Sequence, residues 1–240
     1  MLDILDVLQA APTGISMGEI AEAAELPKSS TFRYLATLEA RGYVERNGRE
    51  GQYRLGLAFL PLRARHLDDL AARARPFLEQ LRDRFDETIN LGVLEGNRIV
   101  YLDIVESPRT IRFAARRGDG HPVHSTALGK AIAAHLPDED VRRILAAEGM
   151  PQLTSRTIVD LDAFLEELEQ VRRRGFALES GENEKDGCCV AVALTGDRLS
   201  AAISLSAPAA RFSSDRFEEV AGALIRTGGQ LAVEQEPTDA

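Results

Sequence analysis

Apolar residues recur at helical spacing from the start of the chain. Leu2, Ile4, Leu5 and Leu8 form one stripe, which predicts a first helix ended by the Pro-Thr-Gly at 12–14. The chain therefore begins with a short amphipathic helix whose apolar face must pack against another element.

A second short helix follows, with a recognisable start signal. Ser16 and Glu19 have the spacing of a capping box, in which each side chain satisfies a free amide of the other's backbone. Ile20, Ala21 and Ala24 are then expected to face inward.

A break at 25–27 separates this helix from a third one over 28–41, which Gly42 stops. Phe32, Leu35 and Leu38 are expected on its buried face. Two short helices joined by a tight turn are typical of a helix–turn–helix that lays its second helix in the major groove of DNA. The DNA contacts expected on this helix are Lys28, Ser29, Ser30, Thr31, Arg33 and Tyr34.

The next segment has the pattern of a β-hairpin, with strands at 43–46 and 52–55 around a turn at 47–51. A hairpin after the recognition helix indicates a winged variant. Its Arg46, Arg49 and Arg54 are predicted to contact the DNA backbone or minor groove. The alternative is that these arginines only solvate a small hairpin.

Residues 57–75 are rich in Ala, Leu and Arg, and they predict one linker helix that also offers a dimer surface. Pro76 is expected to open a new segment. The predicted division is therefore a DNA-binding domain at 1–56, a linker helix at 57–75 and a larger domain at 76–240. The expected apolar face after Pro76 consists of Phe77, Leu78, Leu81 and Phe85.

From residue 88 the apolar period changes from helical to alternating. Strands are predicted at 88–94, 99–105, 110–115, 176–178, 189–194 and 201–206. Helices are predicted at 126–135, 139–147, 161–174 and 214–232. Strands and helices in this order predict an α+β domain in which helices pack against an antiparallel sheet.

Composition changes the picture in two ways. No apolar run among the 240 residues approaches the ~20 residues that a bilayer-spanning helix needs. The only cysteines, Cys188 and Cys189, are adjacent and cannot form a conventional disulfide framework, so a reducing cytoplasm is expected.

The net charge of −9 is unevenly distributed. Residues 26–65 carry eight basic and three acidic side chains, whereas residues 66–240 alone account for a net charge of −9. A local excess of +5 over the third helix and the hairpin is the expected footprint of phosphate contact.

Several segments, in this order, resemble the IclR family of bacterial transcription regulators. The segment LPKSSTFRYLATLE at 26–39 is similar to the family's recognition helix, and GYVER at 42–46 to its entry into the wing. In the larger domain, ETINLGVL at 87–94, HSTALGKA at 124–131 and GFALESGENE at 175–184 resemble the effector-binding domain.

The resemblance implies a winged helix–turn–helix, a linker helix and a GAF-like domain that binds a small metabolite. It also implies dimers or tetramers on double-stranded operator DNA. Carried over by position, the effector pocket consists of Thr110, Phe113, His121, Ala127, Leu128, Glu179, Cys189, Ser204 and Ser206. Glu179 departs from the family, which usually has Asp or Ser there, and this leaves the ligand's identity open.

Residue chemistry supports a pocket and leaves alternatives. Ser204 and Ser206 lie two apart on a predicted strand, so both face one side and can bind a carboxylate together with Cys189. Alternatively, these hydroxyls form hydrogen bonds with nearby backbone groups, and the Cys189 thiol only packs in the core. A metal at His121, Glu179 and Cys189 is a further alternative, although the spacing is unlike that of structural zinc sites.

The sequence contains no G-x-S-x-G elbow, P-loop or dinucleotide fingerprint, and catalysis is not expected. We expect a cytoplasmic DNA-binding regulator whose effector is an organic or aromatic acid, without a cofactor, a metal or a membrane partner. The alternative is a small-molecule or metal sensor whose winged helix serves protein contacts.

Overall fold

The computed structural model describes residues 2–11, 14–46, 51–56, 58, 65–194 and 200–233. The chain divides into two compact units, Met1–Asp68 and Asp69–Ala240. The first is a winged helix–turn–helix and the second an α+β domain with one antiparallel sheet, which confirms the predicted fold class.

The described residues of the first unit form the helices α1 (Leu2–Ala10), α2 (Met17–Ala23) and α3 (Lys28–Ala40). The predicted capping box starts α2: the Ser16 side chain accepts the Glu19 N–H, and the Glu19 carboxylate accepts the Ser16 N–H. The core of this unit consists of Ile4, Leu8, Ile20, Leu35, Leu38, Val44 and Tyr53.

Gly42 ends the third helix, as predicted. Its φ of 74° is a left-handed conformation that costs glycine little. The N–H of Tyr43 donates to the carbonyl of Leu38, and the N–H of Gly42 donates to that of Glu39. These two bonds form a Schellman motif, which satisfies carbonyls at the helix end.

The predicted wing forms a two-stranded antiparallel hairpin of β1 (Val44–Arg46) and β2 (Tyr53–Leu55). Its turn, with Arg49, lies outside the described residues. An isolated bridge between Ile15 and Tyr53 ties β2 to the segment before α2.

The linker helix differs from the prediction. Helix α4 runs over Arg65–Phe85 and continues through Pro76, so the predicted helix end at residue 75 is wrong. A proline in a helix removes one backbone hydrogen bond, here to the carbonyl of Ala72. The buried stripe of Leu70, Ala71, Ala74, Leu78, Leu81 and Phe85 continues past Pro76, and its burial outweighs that loss. Residues 57 and 59–64 lie outside the described part, and the three-part division remains a prediction.

The sheet of the second unit has six strands in the order β5-β4-β3-β8-β7-β6, with every neighbouring pair antiparallel. The strands are β3 (Thr88–Glu95), β4 (Arg98–Val105), β5 (Gly120–Pro122), β6 (Ala177–Ser180), β7 (Gly187–Leu194) and β8 (Ala201–Pro208). The last two predicted strands pair directly with each other, and the residues between them at 195–199 lie outside the described part.

Besides α4, the described residues of the second unit form the α-helices α5 (Ala127–Ala133), α6 (Asp138–Glu148), α7 (Leu161–Arg174) and α8 (Phe217–Val233). Helices α5 and α8 pack against β7 and β8, and α6 and α7 pack against each other. The apolar core on the α5 side includes Phe164 and Leu168 from α7 and Ala202 from β8.

The predicted strand at 110–115 is wrong, because this segment is irregular. Two of its carbonyls accept hydrogen bonds from side chains. The Thr88 hydroxyl donates to Phe113 O at 3.1 Å, and Arg211 Nη2 donates to Ile111 O at 2.9 Å.

Candidate functional site

Helix α3 presents part of the predicted DNA-contacting set to solvent. Lys28, Ser29 and Arg33 are exposed, whereas Ser30 and Tyr34 are half-buried. Thr31 is fully buried, and its hydroxyl donates to the Pro27 carbonyl at 3.2 Å. Thr31 therefore packs in the core and cannot reach a base, so its assignment as a contact is wrong.

Phe32 takes the opposite position from the one predicted. Its side chain is 55% exposed, and the buried stripe of α3 is Thr31, Leu35 and Leu38. Thr31 and Phe32 both have a helical spacing from Leu35 and Leu38. The sequence interpretation placed Phe32 on the buried face because it is the larger apolar residue. The outer face thus carries an aromatic residue beside Ser29 and Arg33 that sequence reasoning missed.

The two described arginines of the wing have partners within the hairpin. Arg54 Nη2 lies 2.9 Å from Glu45 Oε2 across the strand pair, with both side chains exposed. Arg46 lies over the Tyr53 ring, 5.6 Å from its centroid. Exposed ion pairs contribute little stability, so these cations remain available to phosphates. Their contact with DNA remains a prediction.

In the second unit, sheet register brings polar residues from four strands into one row. Glu179 on β6 is paired with Cys189 on β7, Cys189 with Ser206 on β8, and Ser206 with Thr88 on β3. Paired residues in a sheet have neighbouring side chains on one face. Asn90 lies two residues beyond Thr88 and therefore on the same face.

These side chains form a hydrogen-bonded surface. The Asn90 amide donates from Nδ2 to the Ser204 hydroxyl at 3.1 Å and to the Ser206 hydroxyl at 3.0 Å. The Cys189 thiol donates to Ser206 Oγ at 3.2 Å. Because Ser206 accepts from two neighbours, its own O–H is left to donate elsewhere.

Glu179 is the buried acidic group of this row, with 2% of its surface exposed. Its Oε1 accepts the backbone N–H groups of Glu182 at 2.6 Å and Asn183 at 3.1 Å. Burial raises the pKa of the Glu179 carboxyl, and these N–H bonds oppose that rise. Burial, with the nearby Glu179 carboxylate, also raises the pKa of the Cys189 thiol, which is therefore protonated at neutral pH.

A cavity of about 130 Å³, here called the inner cavity, lies over this row. Five residues of the predicted pocket line it, namely Phe113, His121, Glu179, Cys189 and Ser206. The residues that line it and that sequence reasoning missed are Thr88, Asn90, Tyr101, Ala114, Ala115, Asn183 and Glu184. The alternation of polar Thr88 and Asn90 with apolar neighbours, matching Ser204 and Ser206 on the paired strand, was a signal for two of them.

Four predicted pocket residues lie elsewhere. Thr110 is exposed on the irregular segment, and Ser204 is buried beside the cavity under the Asn90 amide. Ala127 and Leu128 belong to the apolar core. Leu128 packs so closely over Gly92 that a Cβ there would come within 2.9 Å of its Cδ1. The side chains of these four residues do not line the inner cavity, and their part in binding an effector remains a prediction.

A second, larger space of about 580 Å³, here called the outer cleft, adjoins the inner cavity. His121, Asn183 and Glu184 line both spaces and separate them. The His121 ring meets the Tyr101 ring edge-on, with centroids 5.2 Å apart, and burial lowers the pKa of His121. The outer cleft and the inner cavity therefore share His121, Asn183 and Glu184 as a common wall.

Metal binding finds no support in the described part of the chain, which holds no group of three or more His, Cys, Asp or Glu side chains placed to bind a metal ion. Across those same residues, no helix is both long and apolar enough to cross a bilayer.

A winged helix–turn–helix joined to an α+β domain with a polar cavity defines a DNA-binding transcription regulator with a ligand-binding domain. Residues 63–233 match the model of the bacterial transcriptional regulator IclR C-terminal domain, and residues 1–48 match that of the IclR helix–turn–helix domain. The chain belongs to the IclR family, whose members are transcription regulators and not enzymes.

Relatives and solved structures agree with this assignment. The chain is 32% identical to the HTH-type transcriptional regulator BhcR of Paracoccus denitrificans, over 98% of this chain and 86% of that protein. The crystal structure of the Thermotoga maritima IclR superposes with a TM-score of 0.71 at 28% identity, covering 97% and 96% of the two chains. An IclR homologue from Microbacterium hydrocarbonoxydans, solved in complex with 4-hydroxybenzoate, shares the fold with a TM-score of 0.80 at 24% identity, covering 97% and 96%.

Proposed function

We propose that this regulator binds a specific operator through the outer face of α3 and that a small molecule in the inner cavity changes its affinity for that operator. The observation that supports the ligand is the cavity itself. Its polar side chains come from the six described strands of the sheet and from Asn183 and Glu184, and a cavity lined by polar groups is filled by water or by a ligand.

The DNA half of the proposal rests on the exposed Lys28, Ser29 and Arg33 at the start of α3 and on the arginines of the wing. An arginine at this end of a recognition helix can donate two hydrogen bonds to a guanine edge. Operator DNA lies in the cytoplasm, where we place the protein.

We further propose that the protein acts as a dimer or a tetramer. Dimers read two half-sites one helical turn apart, so an operator with repeated half-sites is expected. The ligand can shift operator affinity by no more than its differential affinity for the free and DNA-bound states.

The operator test compares Arg33→Ala with Arg41→Ala on a duplex that the protein itself selects from a random pool. Arg41 carries the same charge at the other end of α3 and is the matched control. Loss of Arg33 is expected to weaken binding by about tenfold or more and to relax specificity at one base pair. Equal affinity of the two variants would contradict the role of Arg33.

The ligand test is Ser206→Leu, which fills the inner cavity, with Ser204→Ala on the same strand as the control. Ser206→Leu is expected to abolish the response of operator binding to ligand and to leave DNA affinity without ligand unchanged. A retained response in this variant would remove the cavity from the proposal.

Salt dependence separates this function from the alternative of a sensor whose winged helix contacts proteins. Operator binding through phosphates must weaken steeply as salt rises, because each contact releases counterions. A flat salt dependence, or no selected sequence, would favour the alternative.

A further inference from the structure

The outer cleft lies between elements that hydrogen bonds tie together. Arg98 on β4 donates to the Glu148 carboxylate, at the end of α6, at 3.1 Å. The Thr154 hydroxyl, in the segment after α6, donates to the Gly181 carbonyl, in the loop between β6 and β7, at 2.6 Å. The space of about 580 Å³ is therefore preformed in the folded chain, as ligand sites usually are.

The outer cleft presents other groups than the inner cavity. The row of Glu179, Cys189 and Ser206 lines the inner cavity and not the outer cleft. In the common wall, the Asn183 side chain is fixed by the Ser125 hydroxyl, which donates to its Oδ1 at 3.0 Å. A molecule in the outer cleft therefore binds independently of one on the sheet row.

Part of the lining of the outer cleft is apolar. It consists of Pro122 on β5 and of Pro151 and Leu153 in the segment after α6. The His124 ring, whose Nε2 lies 3.1 Å from the Pro151 carbonyl, holds this segment in place. Leu153 is nevertheless 45% exposed. An apolar group of a ligand that covers Leu153 removes this surface from water, which is favourable.

The charges that line the outer cleft are balanced. Its cations are Arg98 and Lys185, and its anions are Glu148 and Glu184. Burial is the main cause of the lowered pKa of His121; Arg98 lowers this pKa further, whereas Glu184 raises it. A cation and an anion therefore lie close to one neutral ring. This arrangement complements a ligand that carries both charges.

Arg98 can bind a further group. Its Nη1 donates to Glu148, and its Nη2 donates to the Gly120 carbonyl at 2.8 Å. Each of these nitrogens carries two N–H groups, so the described bonds leave one N–H on each. A ligand carboxylate can accept these N–H groups, and the exposed Glu184 carboxylate can accept from a ligand ammonium.

The edge of the sheet beside the outer cleft is unsuited to an added strand. The edge strand is β5, whose Gly120 carbonyl already accepts from Arg98. Pro122 has no N–H, and its carbonyl accepts the Thr126 hydroxyl at 3.0 Å. Strand addition needs these backbone groups, so a long extended peptide is disfavoured. A short molecule bound through its ends and side chains is favoured instead.

The size of the outer cleft selects among zwitterions. Its volume of about 580 Å³ is the share of about nineteen water molecules in the liquid. Leucine has about half that number of non-hydrogen atoms, whereas a dipeptide of two leucines has about as many. A dipeptide therefore matches the space better than a single amino acid does.

We propose that the outer cleft binds an apolar dipeptide in its zwitterionic form. Arg98 binds the carboxylate of the dipeptide, Glu184 binds its ammonium group, and Leu153 contacts its apolar side chains. This site goes beyond the proposed function, and it depends neither on the effector of the inner cavity nor on operator binding.

The experiment compares leucyl-leucine with its N-acetyl derivative, its C-terminal amide and glycyl-glycine. Binding to the full chain is measured by calorimetry. Each of the last three molecules lacks one feature that the outer cleft recognises, and each is expected to bind at least about fivefold more weakly than leucyl-leucine. Absence of leucyl-leucine binding, or equal affinity for all four molecules, overturns the proposal.

Two variants assign the ends of the dipeptide. Arg98→Gln is expected to weaken leucyl-leucine by at least about fivefold and to change the affinity of the amide by less than about twofold, because the amide has no carboxylate. Glu184→Gln is expected to weaken leucyl-leucine similarly and to spare the N-acetyl derivative, which has no ammonium group. The control is Arg143→Gln, which removes an exposed arginine of α6 that is paired with Asp140.

A structural role would give a different result. If Arg98→Gln and Glu184→Gln each weakened the charged dipeptide and its derivatives to the same extent, their charges would not recognise the two ends, and the proposal would be overturned.

Two further variants locate the dipeptide. Leu153→Ala is expected to weaken leucyl-leucine by about fivefold, because it removes apolar contact surface. Ser206→Leu fills the inner cavity and is expected to leave this affinity within about twofold. The reverse result, a loss in Ser206→Leu and no change in Leu153→Ala, would place the dipeptide in the inner cavity and overturn the proposal.

Discussion

The ammonium group of Lys130 donates to Oε1 of Glu182 at 2.6 Å, with side chains that are 1% and 12% exposed. Lys130 also donates to the Leu178 carbonyl. Glu182 and its neighbour Asn183 supply the N–H groups that hold the Glu179 carboxylate. A buried ion pair outside the inner cavity thus positions the acidic group within it.

We expect Lys130→Met to lower the free energy of unfolding by about 3–5 kcal/mol, because it leaves the Glu182 carboxylate buried without its cation. Urea unfolding measures this. The double variant Lys130→Met with Glu182→Leu is expected to recover much of the loss. Equal unfolding midpoints for the single variant and the natural chain would show that the pair contributes nothing.

Phe32→Ala is expected to weaken operator binding without destabilising the fold. The exposed ring faces the same side of α3 as Ser29 and Arg33, where an apolar side chain can contact a thymine methyl group. A loss of about 1 kcal/mol corresponds to about fivefold in the dissociation constant.

The control for Phe32 is Leu2→Ala, which removes another exposed apolar side chain from the same unit. Replacing operator thymines by uracil, which lacks the methyl group, tests the contact directly. At one thymine position, the change to uracil should weaken operator binding by the natural chain and leave operator binding by Phe32→Ala unchanged. Identical responses of both proteins at every position would exclude this contact.

His124 makes stability depend on pH. The ring is fully buried, its Nε2 lies 3.1 Å from the Pro151 carbonyl, and its Nδ1 has no hydrogen-bond partner. Burial lowers the pKa of His124 below the ordinary 6.5. Below pH 6.5 the unfolded chain therefore binds more protons than the folded one, so the stability present above that pH is lost as pH falls.

His124→Gln isolates this effect, since a glutamine amide can still donate to the Pro151 carbonyl but does not titrate. Urea unfolding at about pH 7.5 and about pH 5.5 gives the comparison. The natural chain is expected to lose more stability than the variant between these pH values. Equal losses of stability in the natural chain and in His124→Gln would show that burial does not lower the pKa of His124.

Arg211 secures the wall of the inner cavity. It binds the buried Glu87 through two hydrogen bonds of 2.8 Å and donates to the Ile111 carbonyl, two residues before Phe113. Arg211→Gln is expected to lower the free energy of unfolding by about 2 kcal/mol, because it leaves the buried Glu87 carboxylate without its partly exposed cationic partner. It is also expected to weaken ligand binding, because the wall of the inner cavity loses this support.

The matched control for Arg211 is Arg112→Gln in the same irregular segment, where the partner Glu106 is exposed. A surface pair of this kind contributes less than about 1 kcal/mol. Equal effects of the two variants on urea unfolding would contradict the role assigned to burial of Glu87.

Local signals predicted many elements closely. Helix α7 has the predicted bounds, because Asp160 caps its start through the Ala163 N–H and Gly175 ends it in a left-handed conformation. The capping box at Ser16 and the stop at Gly42 are of the same kind. Such signals depend on neighbours within four residues, so a single sequence contains them.

Errors arose where distant contacts decide. Thr31 and Phe32 both fit the buried stripe of α3, and only the shape of the core selects Thr31. The alternating pattern at 110–115 suits a strand, but side chains from β3 and from beyond β8 bind its carbonyls. Pro76 suits a helix start, but burial on both sides of it keeps one helix intact.

By itself, the sequence determined the class of this protein: helices, strands, caps and a basic α3 and wing follow from residue spacing and local charge. Tertiary structure decided the chemistry of the ligand site. The row of Glu179, Cys189, Ser206 and Thr88 exists only through strand register, which brings Thr88 beside Ser206 although the two are more than 100 positions apart in the sequence. Burial, which no single segment sets, then raises the pKa of the Glu179 carboxyl in the inner cavity.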